Sequence, residues 1–251
     1  MTHDRVTRLG STVRRPAAFW SPAVHGLLRY LESACFPAPR VLPASTGDGD
    51  SASQPGTETL TWIDGGSGAD GWANVVPETG LQRWARFLRR YHDTVAGYRP
   101  PATSVWSSGT GTCAPGEIIC HGDFGPWNTV WRDGDIAGLI DWDHARPAPP
   151  LFDVAYALEY AAPFRDDEEC VRWLRYPRPP DRRRRIEVFC DAYGIAVPAD
   201  TGALVAKQQR AVAATCADLA HRGIEPQATW VRDGHLARLR ARIAWTEASG
   251  L

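Results

Sequence analysis

The stretch His121–Asp143, HGDFGPWNTVWRDGDIAGLIDWD, gathers more chemically capable side chains than any other segment of similar length in the chain. Its local pattern sets how they are placed. The preceding Glu117–Cys120, EIIC, carries a β-branched apolar pair and reads as a short strand. His121-Gly122-Asp123 leaves that strand as a loop, and Asn128 follows Asp123 at a spacing of five. Thr129–Trp131, then Arg132-Asp133-Gly134, then Ile136–Ile140 reads as strand, tight turn, strand, with Asp-Gly as the turn signal. Asp141 falls where the second strand ends. A hairpin of this kind returns Asp141 to the level of Asn128, so the loop carboxylate of Asp123 faces an amide and a second carboxylate across a small gap.

That arrangement suits phosphoryl transfer, whose loose transition state asks mainly for positioning and charge neutralisation. A hard cation such as magnesium takes oxygen ligands, which Asn128 and Asp141 are expected to supply. Asp123 is left to accept the hydrogen bond of an attacking hydroxyl, and His121 is expected to brace the loop. A competing reading takes His121, Asp123, Asp141, Asp143 and His144 as ligands of a metal-dependent hydrolase.

The spacing also resembles the protein-kinase pattern H-R-D-x-x-x-x-N followed by D-F-G. Its wording here, HGDFGPWN, then IDWD, then Phe152-Asp153-Val154-Ala155-Tyr156, resembles the aminoglycoside phosphotransferase family, the wider phosphotransferase family of small-molecule kinases. The resemblance implies an α+β, protein-kinase-like two-lobe fold. Residues 1–65 would form a reduced N-terminal nucleotide lobe with a flexible loop at 44–58. Residues 66–251 would form a mainly helical lobe carrying the catalytic loop 121–128 and the metal-binding Asp141. It further implies ATP or GTP as donor, Mg2+ as cofactor, and a small hydroxyl-bearing acceptor such as an aminoglycoside, another amino alcohol or a sugar. Asp153 would accept hydrogen bonds from the backbone of the catalytic loop.

Two of the family's nucleotide groups have no counterpart. Lys207 is the only lysine among 28 basic residues, so Arg15 or Arg14 remains for the phosphate contact of the family's strand lysine. The helix that should offer a glutamate offers His25. Arginine binds phosphate bidentately but is bulkier than lysine and need not replace it. Thr59–Ile63 would be the inter-lobe hinge, with Thr61 and Ile63 at the adenine. Glu159, Asp166 and Asp167 would meet a cationic acceptor, or else Asp166 and Asp167 are ordinary carboxylates at the positive end of a helix. These departures keep open a non-catalytic nucleotide-binding protein of the same fold.

The remaining chain sets bounds. At 251 residues with a net charge of −1, it has no general attraction for nucleic acid or anionic membrane. The six cysteines lack C-x-x-C spacing, which fits a reducing compartment, and no apolar run nears the roughly 18 residues of a membrane span. A soluble cytoplasmic protein is expected, of open oligomeric state. Gly10–Pro16 alternates as a strand. Helices are expected over 21–32 with Ser21 as N-cap, over 78–95 with Leu81, Trp84, Leu88, Tyr91 and Val95 inward, and from about 152 to 162. Others are expected over 181–193 stopped by Gly194, over 201–222, and over 227–247 with Trp230, Leu239 and Ile243 as core candidates. The run Arg182–Arg185 reads as a solvated face, and His92 as a packing or capping residue.

Overall fold

The computed structural model describes residues 6–43 and 56–251. Residues 44–55 of the expected loop lie outside these, whereas Thr57 and Glu58 already belong to a strand. The N-terminal strand signal resolves into a hairpin of β1 (Thr7–Leu9) and β2 (Thr12–Pro16), to which β3 (Thr57–Thr61) adds antiparallel. Between β2 and β3 runs α1 (Ser21–Ser33), burying Val24, Leu27, Leu28 and Leu31 at helical spacing. Trp20 takes the N-cap position in place of Ser21, whose hydroxyl instead accepts from the Ala18 N–H at 3.0 Å.

After β3 come α2 (Ala69–Val75) and α3 (Glu78–Val95). The apolar stripe of α3, Leu81, Trp84, Leu88, Tyr91 and Val95, is wholly buried, each side chain contributing about 1.5–3 kcal/mol through removal from water. A short hairpin follows, β4 (Val105–Trp106) with β5 (Gly109–Thr110). Then β6 (Ile118–Cys120) pairs with β9 (Arg146–Ala148), a partner not expected from the sequence. Between them stand a single 3-10 turn, Pro126–Asn128, and the predicted hairpin of β7 (Thr129–Arg132) and β8 (Asp135–Leu139). Its turn residues Asp133 and Gly134 both have left-handed φ, 53° and 79°, as a two-residue Asp-Gly turn requires.

The remainder is helical: α4 (Leu151–Ala161), α5 (Asp167–Trp173), α6 (Arg182–Tyr193), α7 (Thr201–His221), α8 (Gln227–Arg232) and α9 (His235–Ala248). Side chains of Asp166, Asp181 and Asp200 cap α5, α6 and α7, and Gly194 at φ 91° ends α6. The helix expected over 227–247 is broken at Gly234, φ 79°, into α8 and α9. Leu239 and Ile243 on α9 are only half-buried and Trp230 on α8 is exposed, both helices lying against α7. The arginine run also departs from expectation. Arg185 is buried and donates to the carbonyls of Val75, Val76 and Ala161, while Arg182 donates to those of Pro163 and Arg165. The ends of α2 and α4 and the turn after α4 present their carbonyls there, and a guanidinium supplies several donors from one side chain.

Candidate active site

The loop 121–128 is held from beneath by Asp153 in the first turn of α4. Its buried carboxylate accepts from the backbone N–H of His121 at 2.6 Å and of Gly122 at 2.8 Å. His92 Nε2 lies 3.2 Å from the same group, and His92 Nδ1 lies 2.7 Å from the Tyr193 hydroxyl. Burial pushes the Asp153 carboxyl up, but the His92 hydrogen bond, the neighbouring histidines and the Gly122 N–H outweigh it and hold the group below its ordinary range. Gly122 has φ 80°, and a Cβ there would lie 2.0 Å from the His144 carbonyl oxygen, so only glycine fits. His121 packs 4.6 Å from the Trp142 ring, sets Nε2 at 3.1 Å from the Ile140 carbonyl and accepts the Asp123 N–H at Nδ1. The Ile140 contact makes Nε2 the donor. Burial lowers its pKa, and the neutral ring braces the loop.

From that base Asp123, Asn128 and Asp141 converge. The Asn128 amide nitrogen donates to Asp123 Oδ2 at 2.7 Å and to the Asp123 carbonyl at 3.0 Å, so its carbonyl oxygen is the atom that could face a cation. Ile140 N–H donates to the Asn128 main-chain carbonyl at 2.9 Å, which brings Asp141 alongside as the hairpin reading expects. Asp141 itself is left-handed, φ 64°, a conformation that aspartate adopts more readily than most residues but still at a cost. Its side chain keeps 48% exposure through the mouth of the cleft. The walls still desolvate it, and with Asp143 and Asp123 close by its carboxyl is pushed up to about 6. Asn128 Oδ1 and the Asp141 carboxylate are hard oxygen donors, the kind that a divalent cation of the magnesium or calcium type takes. Tyr156, one turn after Asp153 on α4, donates its hydroxyl to Asp123 Oδ1 in a short hydrogen bond. Sequence reasoning missed it, although its position in the FDVAY string was the available signal.

The cleft's other wall is β2. Arg15 and Arg14 point to opposite faces of the strand, and Arg15 is the one turned inward. It donates bidentately to Asp143, at 3.2 and 2.6 Å, and through Nε to Glu58 at 2.5 Å, with Asp141 at 4.0 Å. Glu58 on β3 in turn meets His25 Nε2 at 2.6 Å. Burial works against both charges, yet Asp143, Glu58 and Asp141 raise the Arg15 pKa, and His25 with Arg15 lowers that of Glu58. Asp143, read from the sequence as a ligand only in the metal-dependent hydrolase alternative, is thus the residue that ties β2 to the segment after the β7–β8 hairpin. Thr61 sends its N–H to the Arg40 carbonyl at 2.9 Å and so offers no donor to adenine from that group. Ile63 packs against Gly138.

The acidic residues read as candidates for a cationic acceptor are engaged within the protein. Asp166 caps α5, Asp167 pairs with Arg182 at 2.8 Å, and Glu159 is buried between Arg165 and Arg242. Nor do His121, Asp123, Asp141, Asp143 and His144 assemble as metal ligands. Both His121 ring nitrogens are engaged, and among the described residues the group of such side chains close enough to share an ion is His92, Cys120 and Asp153, whose members are bonded to one another or to the backbone.

The profile of the phosphotransferase enzyme family matches residues 112–188, from before β6 to within α6. The trifolitoxin immunity protein of Rhizobium leguminosarum bv. trifolii is 34% identical over 195 residues, spanning 76% of this chain and 70% of its own. The chain belongs to the phosphotransferase family. Solved members of the fold agree. Amicoumacin kinase hAmiN, in complex with AMP-PNP, Ca2+ and Ami, superimposes with a TM-score of 0.59 at 12% identity, over 97% of this chain and 89% of the other. Aminoglycoside phosphotransferase APH(3'')-Id of Streptomyces rimosus gives 0.53 at 19% identity, over 80% and 86%. The fold is therefore the kinase-like fold of these phosphotransferases, with a mainly helical second lobe and a reduced first one.

Proposed function

We propose that the protein is a nucleotide-dependent small-molecule kinase that moves the γ-phosphoryl group of ATP or GTP to an acceptor hydroxyl, with division into lobes at residues 1–65 and 66–251. The observation that carries this reading is the convergence of Asp123, Asn128 and Asp141 on a loop fixed from below by Asp153. Asp123 would orient the acceptor hydroxyl and take its proton, steadied by the Asn128 amide and the Tyr156 hydroxyl. Asn128 and Asp141 would hold Mg2+, which when bound supplies charge neutralisation at the transferring phosphoryl group. Arg15 is the cationic group of the cleft on the nucleotide side and the residue we assign to the phosphates. Reaching them means exchanging its present Asp143 contact for phosphate oxygens, a like-for-like bidentate exchange.

The test is phosphotransfer from ATP and GTP to a panel of hydroxyl compounds, run beside Asp123→Asn. The reading expects transfer that the substitution lowers by about 100-fold or more with nucleotide binding kept. Undiminished transfer in that variant would refute it. A second reading draws on the relative named for trifolitoxin immunity: the protein protects its host against a toxic compound. If protection proceeds by phosphotransfer, Asp123→Asn abolishes resistance in a sensitive host; resistance that survives the substitution points to protection by binding.

A further inference from the structure

Beyond Asp123, the face of α4 continues toward a polar cluster that the phosphotransfer chemistry does not use. Tyr156 and Tyr160 stand about one turn apart, about 6 Å along the axis, with ring centroids 5.3 Å apart. Trp127, from the catalytic loop itself, meets Tyr160 edge-on at 4.6 Å, and Trp72 of α2 stacks on Trp127 at 5.5 Å. At the far end Arg165 lies over Tyr160, 5.3 Å from its ring, and 5.9 Å from that of Trp72. A run of packed aromatic side chains thus links Asp123 to a guanidinium.

Arg165 is only 7% exposed, and its hydrogen bonding is incomplete. Nη1 reaches Glu169 at 2.9 Å, while Nε and Nη2 have no acceptor within hydrogen-bonding distance. Glu159 is 3.9 Å from Arg165 and 3.7 Å from Arg242, too far from either for a hydrogen bond, so two guanidinium groups share one buried carboxylate loosely. The Gln209 amide approaches the same carboxylate. Next to it on α7, buried Gln208 has both amide atoms without a partner. Buried donors left unpaired are costly, and an interior site that keeps them beside a catalytic loop is shaped for a ligand that brings acceptors. Arg165 is held at this post by Arg182, which donates to the carbonyls of Pro163 and Arg165 on either side of the turn. Asp166 and Asp167, the carboxylates that could have attracted a polycation, are turned to the α5 cap and to Arg182.

Resting on the kinase reading, we propose that the acceptor is an acidic hydroxyl compound, bearing a carboxylate or a phosphate, whose anionic end is held by Arg165 and Arg242 while its hydroxyl lies at Asp123. The two guanidinium groups provide the forked donors that such anions take, and the aromatic side chains between them and Asp123 cover a short carbon skeleton. A polycationic acceptor would bring ammonium groups against both arginines.

The experiment uses the full chain and two readouts. Tryptophan fluorescence, to which Trp72 and Trp127 contribute among eleven tryptophans, is titrated with hydroxy acids and sugar phosphates, with the neutral amides and parent alcohols of the same compounds, and with streptomycin. Phosphotransfer and acceptor-free hydrolysis of ATP and GTP are followed in parallel. The proposal expects saturable responses and transfer with acids, the carboxylate and phosphate arms showing which anion is preferred. Arg165→Gln should raise half-saturation for the acid about tenfold or more and for its amide little. Arg242→Gln, on a helix face that is 30% exposed at this side chain, gives the same discrimination should the first variant not fold. No response to any acid, preference for streptomycin or the neutral analogues, or equal losses for acid and amide would overturn the proposal while nucleotide turnover upholds the kinase reading. Absence of all nucleotide binding and turnover in the unsubstituted protein instead sinks the kinase reading, and saturable acid binding that depends on Arg165 would then still stand as an anion site.

Discussion

Asp153→Asn replaces one oxygen by an NH2 group and removes a charge at the point where the loop 121–128 is fastened. The carboxylate accepts from three groups: His121 N–H on Oδ2, Gly122 N–H on Oδ1 and His92 Nε2 on Oδ2. An asparagine that keeps its oxygen on the His121 side sets its NH2 against the Gly122 N–H, so one charge-assisted bond is lost, another donor is stranded and the rest weaken. The cost at neutral pH is about 3–5 kcal/mol, read as a lower urea midpoint at unchanged slope. The pH dependence carries the sign. The folded carboxyl lies below its ordinary value, so its stabilisation is complete above the unfolded value of about 4 and is lost as pH falls through the folded one. The gap between the two proteins should therefore be flat at and above about pH 5 and close in more acid solution. A difference below about 1 kcal/mol at neutral pH, or one that widens on acidification, would refute the reasoning.

Three further outcomes follow from contacts elsewhere. Arg185→Met keeps the stem but strands the carbonyls of Val75, Val76 and Ala161, and should cost about 3 kcal/mol or more in chemical denaturation, with Arg185→Lys recovering part of it. Gly122→Ala forces a methyl into the His144 carbonyl at a left-handed φ, so phosphotransfer should fall by about 10-fold or more because the loop must shift, an effect seen in kcat even where the melting temperature moves little. Asp141 bears on the pH profile of the metal-free protein. With its carboxyl pushed up to about 6, ionisation opposes folding, and the stabilising protonated form is lost as pH rises from about 4 through 6. Asp141→Asn should therefore melt at a higher temperature than the unsubstituted protein above pH 6, and at a similar one near pH 4, in thermal scans without divalent cations.

What could be read from the sequence was what neighbours in sequence decide. The Asp-Gly turn fixed the β7–β8 hairpin, and hence the meeting of Asn128 with Asp141, because turn geometry and register are local properties. The stripe of α3 was legible because five apolar residues recur at helical spacing. Asp153 came through family resemblance, since nothing in its own neighbourhood shows that it reaches back 32 residues to His121. The same limit hid the rest. Arg15 and Asp143 are 128 residues apart, Arg185 and Val75 110, and Tyr156 and Asp123 33. A run of four arginines reads as solvated because burial of a guanidinium depends on carbonyls delivered by other elements, here the ends of α2 and α4.

The missing lysine and helix glutamate look different once Glu58 is placed. In the sequence they are two separate losses, a cation on β2 and an acid on α1. In the structure an acid is present on β3, directly across the sheet from Arg15 in the β2–β3 register, and the helix contributes His25 instead. A lysine ammonium is a point charge, whereas the Arg15 guanidinium presents donors in a fixed fork, which lets one side chain hold Glu58 through Nε and Asp143 through its two terminal nitrogens at once. With the acid on the neighbouring strand, α1 need supply only a group that reaches the second oxygen of Glu58, and a histidine does so at 2.6 Å. The substitutions are therefore a single coupled change: arginine for lysine makes sense with the acid on β3, and the acid on β3 leaves the helix position to His25. Replacing Arg15 by the lysine typical of the family would leave either Glu58 or Asp143 without its partner, so in this chain that exchange is expected to weaken the contact between the lobes.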